Sequence, residues 1–387
     1  MDEKTFLSVA KSHSYKDKDC ASFKRALELI KPILKNKIRI SGDPLVNHHL
    51  NVGVILMENH SSPEIVLAGI LHGITKYGED ISLIIEEKFG KEILELVEGV
   101  EEIKKIKSKN PSLEAEALRK VLLATLKDVR VIFVKLANKL DNLKTVDVLP
   151  EPEQKRICAE VLEVYAPLAY RLGVEQIRVQ LENRAFKILN PRKYREIATY
   201  LAASSEERQQ AIDDVIKQLK ETFANKVPVI KIKGRSKHIY SIYRKMTQRG
   251  VKLQEQYDLL GLRIIVPEIK DCYTLLGLLH EKFNPSPGKL KDYIANPKPN
   301  YYRSLHTAVE LPNNKIAEVQ IRTEEMDEFA EEGLAAHWRY KGVKADQSFE
   351  KKIAWLRGVL ELQEKGENKE FLESAKVDVF GDKIYCY

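Results

Sequence analysis

Basic and hydroxyl side chains recur at helical spacing between residues 234 and 246, in the run GRSKHIYSIYRKM. Four of them fall on one side of the predicted helix, opposite its apolar residues: Lys237, Ser241, Arg244 and Lys245. We expect a strand to end at Lys233, a turn to follow at Gly234-Arg235, and the helix to begin near Ser236. Because a helix amino terminus offers N–H groups and partial positive charge, the pattern predicts a phosphate site. A solvated basic helix face fits the same spacing.

Acidic side chains occur on two of the predicted strands. Asp258 lies near the start of the apolar run YDLLGLRIIV, where a carboxylate is costly unless it binds a metal or a base. Arg263 on the same strand is placed to meet phosphate, although Asp258 also fits a simple strand cap. In EVQIR, Glu318, Gln320 and Arg322 share one face of the strand. Such alternation is typical of an active-site face and also of a solvent-exposed edge strand.

A basic, aromatic segment separates these two strands, PGKLKDYIANPKPNYYRSLHT. Its lysines Lys289, Lys291 and Lys298 are interleaved with Tyr293, Tyr301 and Tyr302. Cations that meet phosphates beside rings that stack on bases are typical of nucleotide binding. A flexible basic loop is the alternative.

The predicted secondary structure changes near residue 225, from helices alone to strands alternating with helices. Residues 1 to about 190 are predicted to be helical, whereas the later runs VPVIKIK, YDLLGLRIIV, SLHTAVEL and KIAEVQIR read as strands between helices. The chain is 43% hydrophobic and 31% charged, as in globular proteins. The four cysteines are scattered, and no apolar run reaches the roughly 18 residues of a membrane span. We therefore expect a cytoplasmic protein with no membrane partner.

Taken in order, the runs GRSKHIYSIYRKM, YDLLGLR, KLKDYIANPKPNYYRSLHT, EVQIRT and AAHW resemble the synthetase domain of the RelA/SpoT homologue family. The first half of the chain is similar to the family's hydrolase domain. The resemblance implies an all-α HD-type domain followed by an α/β (α+β) nucleotidyltransferase-like domain with a mixed sheet. It also implies that Mg²⁺-dependent transfer of the β,γ-pyrophosphate of ATP to the 3′-hydroxyl of GDP or GTP makes ppGpp or pppGpp and AMP.

The resemblance assigns roles to individual residues of the second half. ATP is assigned to Arg235, which stacks on adenine, and to Lys237, Ser241 and Lys245, which hold its phosphates. Mg²⁺ is assigned to Asp258 and Glu318, and the reaction centre to Asp258, Glu318, His306 and Arg263. The guanine nucleotide is assigned to Tyr302, which stacks on guanine, and to Asn300, Lys289, Lys291 and Gln320.

Two motifs depart from the family pattern. The usual Asn-Gly-Tyr-Gln reads Asn300-Tyr301-Tyr302-Arg303, and the usual Arg-x-Lys-Asp reads Lys289-Leu290-Lys291-Asp292. The second change keeps the charge but loses a bidentate fork. Neither change removes a group that the implied chemistry needs.

The resemblance also shows what the first half lacks. The family's hydrolase binds Mn²⁺ through two histidines, matched by His48 and His72, and through two aspartates, which are Gly73 and Asn138 here. The acidic pair that activates water reads Lys76-Tyr77, and the acids Glu79-Asp80 lie three residues late. Because an amide is a far weaker anchor for Mn²⁺ than a carboxylate, we expect no Mn²⁺ and no hydrolysis. Two other features of the site are retained, the guanine-contacting loop at Arg39 and Asn142.

The resulting prediction divides the chain into four regions. They are a hydrolase-like domain over 1–155, a connecting helical bundle over 156–197, a synthetase domain over 198–342, and a helix with the start of a truncated domain over 343–387. Contact with ribosome or tRNA is expected only through regions outside this chain. The alternatives are a bifunctional synthetase and hydrolase with a shifted metal site, and a non-catalytic guanine-nucleotide sensor.

Overall fold

The computed structural model of the chain describes residues 2–102, 127–203, 205–223, 226–235, 238–250, 252–253, 260–298, 302–311 and 316–332. These residues form two compact units, one within residues 1–181 and one within residues 182–333. The division falls inside a single helix, in the segment predicted to be a connecting bundle. Each unit has its own elements and is described by itself.

The first unit is helical throughout its described residues. Its helices are α1 Glu3–Ser12, α2 Asp17–Leu34, α3 Leu45–Glu58, α4 Pro63–Leu71, α5 Ile81–Phe89, α6 Lys91–Glu102, α7 Arg130–Leu143, α8 Glu151–Glu160, α9 Ala166–Arg171 and α10 Glu175–Leu189, which continues into the second unit. Two 3₁₀ turns at Thr75–Tyr77 and Val146–Val148 and a π-helical turn at Val161–Tyr165 join them.

The centre of this unit is formed by α4 and α7. Pro63 begins α4 at a position where a missing N–H costs nothing, and every residue from Ile65 to Leu71 is buried. Helix α3 packs closely on α4 at Gly69. A Cβ added at this position would lie 2.4 Å from a methyl group of Leu56, so there is no space for a side chain. A helix that is apolar on all sides, as α4 is, must lie inside the core.

The second unit contains a five-stranded sheet and several helices. Its further helices are α11 Pro191–Ala203, α12 Ser205–Phe223, α13 Ile239–Arg249, α14 Ile269–Lys282 and α15 Glu324–Glu332. Its strands are β1 Lys231–Arg235, β2 Leu260–Val266, β3 Lys291–Asp292, β4 Leu305–Glu310 and β5 Ile316–Thr323. The strand order is β1-β2-β5-β4-β3, with β2 and β5 parallel and the other pairs antiparallel. The predicted all-α region followed by an α/β region with a mixed sheet is confirmed.

The sheet has one apolar face and one polar face. Alternate residues of β2 and β5, such as Leu262, Val319 and Ile321, pack in a core with Leu219 of α12 and Leu275 of α14. Strand β5 lies between β2 and β4. The solvent-exposed edge considered for EVQIR is therefore wrong, and the polar residues of β5 belong to an interior strand.

The turn predicted at Gly234 is wrong, because this residue lies within strand β1. We expected a strand to end at Lys233 and a turn at Gly234, but β1 continues to Arg235 and pairs Gly234 with Leu262. A Cβ at position 234 would lie 3.0 Å from a methyl group of Ile212 on α12. The glycine therefore marks a close approach of strand and helix rather than a turn.

Helix α13 packs through its apolar side. Ile242 is buried with Phe186 and Ile197, and the rings of Phe186 and Tyr243 stack at 4.4 Å. The helix begins at Ile239, three residues later than predicted. Among the described residues, no helix is both long and apolar enough to cross a bilayer.

Candidate functional site

The polar face of the sheet carries a continuous row of side chains. Paired residues of neighbouring strands project to the same side, so the register places five residues in one line across all five strands. In spatial order from β1 to β3 they are Lys233, Arg263, Gln320, His306 and Lys291. Three of the five are cations. We call this side of the sheet, with Glu318 and Arg322 of β5, the polar face.

His306 and Glu318, which are predicted for the reaction centre, lie close together on the polar face. Glu318 pairs with Ala308, two residues beyond His306, and the His306 Nδ1 lies 3.7 Å from Glu318 Oε1. A two-residue hairpin at 313–314 would have turned these side chains to opposite faces. Instead Glu310 pairs with Ile316, which leaves an odd number of connecting residues. Because His306 and Glu318 are assigned to one site, the sequence predicts a three-residue loop or a bulge in this hairpin. The register excludes the two-residue loop. Residues 312–315 lie outside the described residues, so the form of the loop stays a prediction.

A glycine lies beside Glu318 on the neighbouring strand. Its parallel partner on β2 is Gly261, which has no side chain, and the backbone of Arg235 pairs with Gly261 in turn. The Glu318 side chain is only 21% exposed. A partly buried carboxylate beside a glycine and a histidine is suited to accept a proton or to bind a cation.

Aromatic rings surround His306 on its other side. The Tyr302 hydroxyl lies 2.9 Å from His306 Nε2, and the Tyr293 ring meets the His306 ring edge to face at 5.1 Å. Lys298 Nζ lies 4.7 Å from the Tyr293 ring and 5.7 Å from the Tyr302 ring. The predicted combination of lysines and tyrosines is therefore present, but the sequence analysis gave Tyr293 no individual role.

An acidic helix balances part of the positive charge. Arg263 Nη1 lies 2.6 Å from Glu331 and 3.2 Å from Asp327, both on α15. Arg322 Nη2 lies 2.9 Å from Asp327, and burial lowers the pKa of Arg322 from its ordinary value. Sequence reasoning missed both carboxylates. Their i, i+4 spacing in EEMDEFAEE was the available signal.

The predicted ATP side is described only in part. Ser241, Arg244 and Lys245 are partly buried on α13, away from its apolar contacts. The Tyr240 N–H in the first turn of α13 donates to Asn183 Oδ1 at 3.0 Å, so this amide is already bonded within the protein. Lys237, Asp258 and Asn300 lie outside the described residues, as does the side chain of Arg235. Lys289 is exposed and Lys291 partly buried.

The predicted ligands of the first unit form a closed cluster that we call the histidine pocket. It contains His48 and His49 of α3, His72 at the end of α4, and Asn138, Asp141 and Asn142 of α7. Spacing of three and four residues brings the α7 side chains to one side of that helix. Of the residues predicted for a hydrolase site, the structure thus brings together His48, His72, Asn138 and Asn142, and Arg39 reaches them from its loop.

A directed chain of hydrogen bonds runs through the histidine pocket. Arg39 Nη2 donates to Asn142 Oδ1, Asn142 Nδ2 donates to Asn138 Oδ1, and Asn138 Nδ2 lies on His72 Nε2, each at 2.8 Å. His72 Nδ1 ends the chain on the carbonyl of Gly69 at 2.6 Å. A guanidinium can only donate a hydrogen bond, and a carbonyl can only accept one. The two ends of the chain therefore fix which atom donates and which accepts in every hydrogen bond between them. His72 is therefore neutral, and its Nε2 lone pair accepts from Asn138.

Asp141 holds the charge of the histidine pocket. Its carboxylate, 1% exposed, lies 2.6 Å from His48 Nδ1 and 3.3 Å from both Arg39 and Lys144. Burial acts to raise the pKa of Asp141, but the hydrogen bond and charge of His48 and the charges of Lys144 and Arg39 outweigh it and lower the pKa. Sequence reasoning missed Asp141, although it stands three residues after Asn138 in KLANKLDNL.

The other residues of the predicted hydrolase motif follow His72 in the chain. Gly73 has φ +73°, a conformation that favours glycine over aspartate. Lys76 is exposed and its ammonium lies 4.8 Å from the Tyr77 ring, while Glu79 and Asp80 are also exposed. The acids considered as substitute ligands are thus on the surface, whereas His72 is buried.

The two polar regions differ as metal sites. Glu318 offers the hard carboxylate oxygen that Mg²⁺ prefers and fits one of the two predicted ligands. In the histidine pocket, Asn138 Nδ2 lies 2.8 Å from the ring nitrogen Nε2 of His72, and Asp141 contacts Arg39, His48 and Lys144. Among the described residues, no three His, Cys, Asp or Glu side chains are grouped to hold a metal ion.

Comparison with known proteins finds similarity in both halves. Residues 234–345 match the model of a region found in RelA / SpoT proteins, and residues 26–175 match that of an HD domain. A GTP pyrophosphokinase of Myxococcus xanthus is 39% identical over 383 residues, which are 97% of this chain and 50% of that protein. The bifunctional (p)ppGpp synthase/hydrolase SpoT of Escherichia coli K12 is 38% identical over 357 residues, 91% of this chain and 51% of that protein.

A solved structure is also similar. The small alarmone synthetase 2 of Bacillus subtilis is 30% identical, and the match covers 46% of this chain and 97% of that one with a TM-score of 0.30. The chain spans about half the length of the two curated relatives.

Proposed function

The chain belongs to the RelA/SpoT family, and we propose that its second unit transfers the β,γ-pyrophosphate of ATP to the 3′-hydroxyl of GDP or GTP. The observation that carries the proposal is the meeting of Glu318 and His306, 3.7 Å apart, between a row of cations and a group of aromatic rings. Phosphates need the cations, the guanine base needs a ring, and the 3′-hydroxyl needs a base.

These positions support the following reaction. Glu318 accepts the proton of the 3′-hydroxyl, and the resulting oxygen attacks the β-phosphorus of ATP. The bond between that phosphorus and the α,β-bridging oxygen breaks, so AMP leaves with the bridging oxygen. His306, held by the Tyr302 hydroxyl at 2.9 Å, orients the acceptor beside Glu318. Mg²⁺, held by Asp258 and Glu318, would neutralise charge on the transferred phosphates.

The substrates are distributed over the polar face. ATP lies toward α13, with its adenine on Arg235 and its phosphates on Lys237, Ser241 and Lys245. The guanine nucleotide lies toward β3 and β4, with its base on Tyr302 and with Asn300, Lys289, Lys291 and Gln320 around it. Arg263 stands between the two, in the central part of the cationic row.

The direct test is product formation. We expect the protein, incubated with ATP, GDP and Mg²⁺, to form ppGpp and AMP in equal amounts, resolved by anion-exchange chromatography. Glu318→Gln serves as the matched control and should form neither. A wild-type protein that binds both nucleotides without forming product would favour the non-catalytic sensor instead.

We propose further that the first unit has lost ppGpp hydrolysis. The hydrogen-bond chain from Arg39 to Gly69 supports this, because it uses the His72 nitrogen and the Asn138 side chain that a metal site would need. The test is to add ppGpp and excess Mn²⁺ and to follow pyrophosphate release. Release that His72→Ala abolishes would favour the bifunctional alternative with a shifted metal site.

A further inference from the structure

Arg322 is the largest fully buried side chain among the described residues. It is 1% exposed and stands on the polar face, two residues after Gln320 on β5. Burying a guanidinium is costly, and an apolar side chain of similar volume often stabilises such a position more. A buried charge beside a proposed active site therefore calls for a function.

Two carboxylates of one helix hold this guanidinium. Arg322 Nη2 lies 2.9 Å from Asp327 and 3.7 Å from Glu331, both on α15. The Nε and Nη2 atoms of Arg322 are buried and form no hydrogen bond of good geometry. Charge and packing therefore hold the guanidinium, rather than a bidentate hydrogen-bonded pair. Arg263 shares both carboxylates, which couples the two arginines through α15.

The guanidinium also faces the ring assigned to guanine. Its Cζ lies 5.7 Å from the centre of the Tyr302 ring, within the range of a cation–π contact. Lys298 lies at the same distance, but it stands on a connecting segment and has a flexible stem. Arg322, buried and anchored, is the fixed cation of the pair. The Tyr302 hydroxyl in turn meets His306, which lies beside Glu318.

We propose that Arg322 is a positioning residue for the guanine nucleotide: with Asp327 and Glu331 it fixes the Tyr302 ring, and through that ring it places His306. The inference rests on the proposed synthetase function. It assigns α15 to the guanine side of the site, although no residue of α15 is expected to touch substrate. Loss of Arg322 should therefore weaken the guanine nucleotide and leave ATP nearly unaffected.

The test separates the two substrates. We expect Arg322→Met to raise the KM for GDP by about tenfold and to change the KM for ATP by less than about twofold, as loss of a buried cation–π support implies. Arg322→Lys, which keeps the charge without the planar group, should give an intermediate rise for GDP. A purely structural role would instead lower the amount of folded enzyme and leave both KM values unchanged.

The folding of each variant is checked in the same set of experiments. Urea unfolding is measured for each variant, and Arg322→Lys decides the matter if Arg322→Met does not fold, because it retains the buried charge. Glu328→Gln, an exposed acid of the same helix, is the matched control and should change neither KM. An equal rise for ATP and GDP, or an unchanged KM for GDP in folded Arg322→Lys, would overturn the inference.

Failure of the proposed function gives a different result. If the wild-type protein makes no ppGpp, the synthetase proposal is wrong whatever the variants do. The inference on Arg322 is then read from the dissociation constant for GDP by calorimetry, against that for ATP as the reference. A tenfold weaker binding of GDP alone supports it, and unchanged binding of GDP refutes it.

Discussion

The histidine pocket and the polar face of the sheet are both clusters of buried or partly buried polar side chains, yet they differ in how those side chains are satisfied. In the pocket, a chain of hydrogen bonds begins at Arg39 and ends at a backbone carbonyl, so each link is occupied. On the polar face, cations of three strands line up beside Glu318, and the neighbour of Glu318 on β2 is a glycine. Polarity and burial alone do not mark a working site.

Charge shows the same difference. The buried charge of Asp141 is matched within the pocket by Arg39, Lys144 and the imidazole of His48. On the polar face, Asp327 and Glu331 of α15 are shared among three cations, Lys233, Arg263 and Arg322, and Lys291 stands at the β3 end of the row. A complete chain of hydrogen bonds contributes stability, whereas a row of cations contributes affinity for phosphate.

The largest expected effect tests the polar face as a catalytic site. Glu318→Gln and Asp258→Asn should each lower the rate of ppGpp synthesis by about 10²-fold or more, because each removes a group that acts on the reacting atoms. The measurement is kcat with saturating ATP and GDP, with the folded fraction checked by circular dichroism. Near-normal turnover in both variants would contradict the site.

A smaller effect tests the division of the polar face between two nucleotides. Tyr302→Ala should raise the KM for GDP far more than the KM for ATP, and Arg235→Ala should do the reverse. Stacking of a base on a side chain is worth on the order of 1–3 kcal/mol, which corresponds to about five- to 150-fold in affinity. If both variants weakened both substrates equally, the division would be wrong.

A third prediction concerns the histidine pocket as a stabilising network. Asn138→Leu should lower the free energy of unfolding by about 1–3 kcal/mol, because it leaves the buried His72 nitrogen and the Asn142 amide without their partner. Denaturant unfolding measures it. Ser12→Ala, which removes an exposed hydrogen bond to Val9, is the control and should cost less than about 0.5 kcal/mol. Equal costs would mean that the chain contributes nothing.

The smallest expected effect is no effect at all. A metal bound a thousandfold above its dissociation constant would stabilise the folded chain by about 4 kcal/mol. We expect excess Mn²⁺ to shift the unfolding midpoint by the same amount in the wild-type protein and in His72→Ala. Each shift is measured against the same protein in EDTA. A Mn²⁺-dependent rise that His72→Ala removes would show a working metal site in the pocket.

Several features of the site could be predicted from the sequence because they depend on local spacing. Alternation placed Glu318, Gln320 and Arg322 on one face, and helical spacing separated Ser241 and Lys245 from Ile242. The need to bring His306 and Glu318 together even excluded a two-residue hairpin, which the register confirms. The roles given to these residues remain predictions, as does every role assigned to Asp258, Lys237 and Asn300.

Other features could not be read from local patterns. The glycine at 234 looks like a turn in the sequence, but contact with Ile212 requires it within a strand. Asp327 and Glu331 look like a solvated helix face, yet they meet two arginines of the sheet. Contacts between residues distant in sequence decided both cases.

By itself, the sequence determined the class of each half, the position of the candidate nucleotide residues and the absence of two carboxylates from the histidine motif. Only the tertiary structure decided what replaced those carboxylates. Asp141 and Asn142 come from α7, Arg39 from a loop about a hundred residues earlier, and His48 and His72 from two other helices. Hydrogen-bond direction depends on which donor meets which acceptor in space, and no periodicity in the chain records that.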